Sequence, residues 1–226
     1  MQINHVWMLL VAFVLVAFVL VSCATPERKN ILDEPFKKSS PKSILIIPPL
    51  NDSVEVNAPY VFLSTISKAV AEKGYYVFPV AVIDNYFKQN GLPTTAEMNN
   101  ASVEKLVEHL NPDAIMYIRI NRWGQKYQVL DSTSVVNSEL TLVDSRTQEI
   151  IWQSNAVASM SNTVAGGDTF LEIIVSAMIS AIFGQIVGQL VDNTQQLSYE
   201  ANNRSVNNGQ TGLLDGPYMP IEPNQE

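Results

Sequence analysis

Val6 to Leu20 is an unbroken apolar run of 15 residues, and Val21-Ser22-Cys23-Ala24 follows it directly. A membrane-spanning helix needs about 20 such residues, so the run is short for a span and right for a signal-peptide core. Cys23, flanked by the small residues Ser22 and Ala24, is the only cysteine in the chain. Whatever folds after it must therefore close without a disulfide. Removing residues 1–22 from the 226 leaves enough chain for one domain with a proper core and loose ends.

The Leu20-Val21-Ser22-Cys23 ending resembles the lipobox of bacterial lipoproteins. That resemblance implies a diacylglyceryl group on the Cys23 thiol, cleavage just before it, and acylation of the new amino group, as with palmitate. Two or three acyl chains meet the requirement that stable anchoring takes more than one lipid. Ala24, where an Asp would hold the protein at the inner membrane, implies an outer-membrane address facing the periplasm. Met1 to His5 carries no Lys or Arg, which leaves an uncleaved N-terminal anchor as the alternative.

The formal net charge is −8, all of it after the leader. An acidic surface excludes non-specific nucleic-acid binding and gives no attraction to anionic lipid, so membrane attachment falls to the acyl chains. His5 and His109 are the only histidines, which excludes His-pair chemistry and His-rich metal sites. Residues 23–42, polar and broken by Pro26, Pro35 and Pro41, read as a tether. The domain is expected over 43–197. Residues 198–226, rich in Asn, Gly and Pro, read as a C-terminal tail with no element of its own.

Within the domain, Ser43–Ile47 is an apolar run bounded by prolines, the pattern of a buried strand. Pro59–Lys73 carries a helical stripe stopped by Gly74, and Tyr75–Phe78 reads as a second strand. Helices follow over Val80–Gln89 and Ser102–Leu110, then a strand over Ala114–Ile120 and a short one over Tyr127–Leu130. Val135–Asp144 and Glu149–Ala158 alternate around a turn at Ser145–Gln148, as a hairpin does. The pattern predicts an α/β sandwich on a mixed sheet, helices mainly on one face, and a β meander in the second half.

Thr169–Val191 completes that expectation as a long apolar C-terminal helix with Asp168 as N-cap. Ser176, Ser180, Gly184 and Gly188 form a stripe of small residues that would let another helix approach closely. Three roles fit: covering the sheet, self-association as a homo-oligomer, or insertion in the membrane.

Several segments resemble a family of Gram-negative lipoproteins of the neisserial antigen type. They are Ile46–Ser53, Gly74–Val80, Asn90-Gly91-Leu92, Pro112–Tyr117, Trp123-Gly124, Tyr127, Leu142–Thr147, Ile151-Trp152 and Gly216-Pro217-Tyr218. The family looks related to the TolB N-terminal domain and the CsgG periplasmic domain. That relation implies a compact α/β fold, a role in envelope assembly or secretion, and a CsgG-like protein as partner. It implies no reaction.

The residues themselves offer no catalytic set, no cofactor motif and no metal-ligand spacing. His109 suits the last turn of its helix, and Asp113 suits a turn. Asp52 and Glu55 lie where α/β sheets place ligands, yet read as a solvated loop rather than an acid/base pair. Trp123 and Trp152 read as core residues; an exposed one would anchor a partner. The expected function is a non-enzymatic accessory module that binds another envelope protein through an apolar patch. A self-assembling ring or pore component is the alternative, and would need strands of roughly 10 residues per crossing.

Overall fold

A computed structural model of the protein describes residues 33–128, 131–161 and 194–219. The leader, Cys23, the start of the tether, and the apolar helix with its stripe at Ser176, Ser180, Gly184 and Gly188 lie outside the described residues.

The chain opens with α1 (Asp33–Ser39), then β1 (Ser43–Ile46) and β2 (Leu50–Asn51). Next come α2 (Ala58–Glu72), β3 (Tyr76–Val77), α3 (Val80–Gln89), α4 (Thr95–Asn99) and α5 (Val103–Leu110). Three long strands follow, β4 (Ala114–Gln128), β5 (Asp131–Asp144) and β6 (Ile150–Ser161), and then α6 (Thr194–Val206). The sheet runs β3-β1-β4-β5-β6. Its first three strands are parallel and the last two pairings antiparallel, so the sheet is mixed, as expected. β2 continues β1 along β4 after the break at Pro48-Pro49, pairing Leu50 with Arg119.

Alternation along β1 explains the layers. Ile44 and Ile46 enter one core with Phe36, Phe62, Ile66, Leu197 and Ala201. Leu45 and Ile47 enter a second with Ile83, Phe87, Met98 and Leu106. Helices α1, α2 and α6 thus cover one face, and α3, α4 and α5 the other. This corrects the expectation of helices mainly on one face. A strand apolar at every position needs cover on both sides, since neighbouring side chains point opposite ways.

Two boundaries also move. α1 forms inside the expected tether and buries Phe36, so the fold takes in residues from Asp33 that were expected in the tether. α6 runs into the segment expected as a tail, and residues 207–219 return across the domain. There the Trp152 indole donates to the Thr211 carbonyl (2.9 Å), the Tyr75 hydroxyl donates to the Leu214 carbonyl (2.6 Å), and Leu213 is buried. This C-terminal strap locks at Gly216, whose N–H donates to the Lys73 carbonyl (2.8 Å), and at Tyr218, whose N–H donates to Gly74 (3.0 Å).

β4 is the largest difference in the β region. Tyr127 and Gln128 do not open a separate strand, because Ala114–Gln128 is continuous and absorbs a register shift between Ile120 and Arg122; Val129 and Leu130 lie outside the described residues. Among the described residues, no helix is long and apolar enough to cross a membrane.

Candidate functional site

Asp52 and Glu55 sit on the loop between β2 and α2, at the carboxyl end of the parallel strands. They do not meet as an acid/base pair. Asp52 pairs with Arg119 of β4 at 2.7 Å, and Glu55 accepts from the Asn57 N–H at 3.3 Å. Asn51 organises the rest: its side-chain oxygen accepts from the Ser53 N–H and hydroxyl, and its amide donates to the Glu55 carbonyl at 2.8 Å. The loop is therefore ordered from within by short-range polar bonds of the kind that Asn and Ser supply in turns.

This ordered backbone presents apolar side chains to water. Val54 is 98% exposed and Val56 78%, with Tyr60 at the start of α2 exposed beside them in sequence. Single exposed apolar residues are ordinary; two on a loop held by its own hydrogen bonds form a contact point already fixed in shape.

On the same side of the sheet as α3, α4 and α5 lies a half-open hollow of about 700 Å³. Its floor is Phe87, Leu92 and Leu106, and Glu97, Lys105 and His109 stand on its walls. α4 is pinned to the break between β1 and β2, since the Asn99 amide donates to the Pro48 carbonyl at 2.8 Å. Glu97 is engaged in a capping box, accepting from the Thr94 N–H and hydroxyl at 2.9 and 2.7 Å. Lys105 forms no ion pair among the described residues. An apolar floor with both charge signs on its walls suits an apolar side chain on a polypeptide, and no nucleophile is set against a base there.

His109 lies in the last turn of α5, as expected from its position. Asp113 does more than shape a turn. Its carboxylate accepts from the Lys42 and Ser43 N–H groups (2.9 and 3.0 Å) and from the Ser43 hydroxyl, joining the start of β1 to the start of β4. Trp123 and Trp152 are both core residues: Trp123 packs edge-on against Phe62 at 6.4 Å, and Trp152 is 1% exposed. Among the described residues, no group of three His, Cys, Asp or Glu could hold a metal ion.

Sequence reasoning missed Val54 and Val56, whose signal was two valines spaced among the turn formers Asn51, Ser53 and Asn57. It also missed α4, although Thr94-x-x-Glu97 is the written form of a capping box.

Fold and loop together define a mixed α/β domain whose outward features are apolar side chains on ordered backbone. The chain belongs to the family described as "Putative lipoprotein GNA1162-like", which matches residues 33–218. It is 34% identical over 200 residues to the Neisseria meningitidis serogroup B protein NMB1124/NMB1162, covering 88% of this chain and 90% of that one. The crystal structure of lipoprotein GNA1162 from Neisseria meningitidis superposes with a TM-score of 0.52 at 37% identity, over 64% of this chain and 99% of that one. PelC from Paraburkholderia phytofirmans, solved as a dodecamer, reaches a TM-score of 0.41 at 12% identity, over 66% of this chain and 91% of that one. The lipoprotein description implies lipid anchoring at a membrane. Kinship with TolB and CsgG rests on the sequence resemblance alone.

Proposed function

We propose that this protein is a non-enzymatic binding module, anchored by lipid on Cys23 to the outer membrane and facing the periplasm. It serves envelope assembly or secretion by gripping another envelope protein. The observation that carries the reading is the loop 52–57, which holds Val54 and Val56 in water on an ordered backbone. A CsgG-like protein is the partner that the sequence resemblance favours. Cys23 supports the anchoring by its place after a signal-type apolar run and by family membership.

Cross-linking in intact cells tests this with tagged wild type, Cys23→Ser and the double variant Val54→Asp/Val56→Asp. Wild type should yield one discrete adduct with a second protein. Each variant should reduce its yield at least about fivefold, the double variant without lowering thermal stability, since both valines are exposed. Self-adducts without a second protein would sink the reading in favour of self-assembly.

A further inference from the structure

The two edges of the sheet are managed differently. β3 is only two residues long, and a strand that short offers little to pair with. β6 is 12 residues long (IIWQSNAVASMS) and contains no charged residue, no proline and no glycine. Apart from a bulge at Ile151 near its start, it carries none of the sequence devices that keep a long edge from pairing. Among the described residues no strand lies on its outer side.

Among the described residues the edge is also open to a chain. A hollow of about 430 Å³ is lined by Gln153, Asn155 and Val157, which point to one face of the sheet, and by Ser154, Arg204 and Asn208 on the other. Ser154 faces α6, since its hydroxyl bonds that of Ser205 at 2.7 Å. Side chains of both faces of one strand border one space only where that space runs along the strand's edge.

We infer that β6 is the contact between two copies of this chain, added edge to edge as an antiparallel pair related by a twofold axis. Two acidic molecules meet most readily where neither carries charge, and β6 is a neutral strip on a protein of net charge −8. In an isologous pair each residue meets the same strand, so any charge on it would oppose its own kind. The nearest acid on the exposed face, Glu139, sits one strand inward, opposite Asn155. Its copy would be three strand spacings away, roughly 14 Å, beyond the screening length of about 8–10 Å. At the rim, Arg204 is matched within its own helix by Glu200 at 3.2 Å. The inference is independent of the loop at Val54 and Val56, which lies at the β2–α2 junction.

Cysteines at Gln153, Asn155, Val157 and Ser159, one at a time in the full-length chain, test it in native membranes under mild oxidation. Antiparallel pairing about a twofold axis leaves one self-opposed position. The disulfide-linked dimer should therefore peak at one of these or at two neighbours, at least about fivefold above the parent chain with Cys23 alone, and fall away on either side. Asn155→Lys with Val157→Lys should abolish the dimer, read by native mass in detergent, with the far-ultraviolet circular dichroism of the folded chain unchanged. A flat profile, linkage to a second protein instead, or a dimer that survives both lysines would overturn the inference.

Discussion

Replacing Asp144 by alanine is expected to lower stability by about 3 kcal/mol at neutral pH, a fall in Tm of roughly 6–12 °C for a chain of this size. The side chain is 1% exposed at the end of β5. It accepts from the Ser39 hydroxyl of α1, from the Arg146 and Thr147 N–H groups at 2.8 Å each, and from the Arg146 guanidinium at 3.1 Å. Arg146 also donates to the Ser39 carbonyl at 2.6 Å, closing the junction from the other side. Deleting the carboxylate leaves these donors without their acceptor, and an unmet donor in a buried site costs more than a bond gains.

The same residue sets a pH signature. Burial pushes the Asp144 carboxyl up, but the Ser39 hydroxyl, the Thr147 and Arg146 N–H groups and the guanidinium outweigh it and hold it at about 2, against an ordinary 3.8. A carboxylate depressed on folding contributes fully above its unfolded pKa and loses that contribution as pH falls through the folded one. Wild type should therefore exceed Asp144→Ala by its full margin above about pH 4, and the two denaturation curves should converge toward pH 2. A margin that persists unchanged at pH 2 would assign the effect to packing rather than to the charge.

Gly216→Ala is expected to cost about 2 kcal/mol, through forced overlap rather than a lost contact. A methyl group on Gly216 would run into the carbonyl group of Gly74, which is backbone and has nowhere to turn. Gly74 is itself fixed, with φ +87 after α2 and the strap folded against it. The strap then loses its lock, along with the Lys73–Asp215 pair at 2.7 Å and the Tyr75–Leu214 bond. Lifting residues 211–218 opens Trp152 to water, so a red-shifted tryptophan emission and faster proteolysis within 207–219 should accompany the lower Tm. Loss of stability with unchanged emission would place the damage elsewhere.

The elements that could be read in the sequence are those with large apolar residues at one clear period. Ser43–Ile46, Ala58–Glu72, Val80–Gln89 and Val103–Leu110 come within a residue or two of their expected bounds, because burial there is done by Ile, Val, Leu and Phe. α6 was hidden for the opposite reason. Its buried face is Thr194, Leu197, Ser198, Ala201, Asn202, Ser205 and Val206, a helical period written largely in small polar residues. Their burial is made tolerable by partners that only the fold brings together. The Thr65 hydroxyl bonds that of Ser198 at 2.7 Å and accepts from the Asn202 amide at 2.9 Å. The far half of β4 was obscured by polar residues and Gly124; there the strand pairs with β5 as far as Gln128 opposite Asp131. The loop at Val54 and Val56 had a legible position and is ordered by its own turn formers; the tie that the sequence could not show is Asp52 to Arg119, 67 residues further on.

The strand directions also decide how the domain would bear a load. A pull on the chain before Asp33 enters through α1, held by Ser39 to Asp144, and then through Lys42 and Ser43, held to Asp113. From there it acts along β1, which lies between β3 and β4 with both neighbours parallel to it. Force along a strand axis shears its ladder bonds together, whereas force across it would unzip them singly. Traction from the N-terminal side that runs along β1 would thus load the domain in its mechanically stiff direction, with the loop at Val54 at the opposite end of the strands.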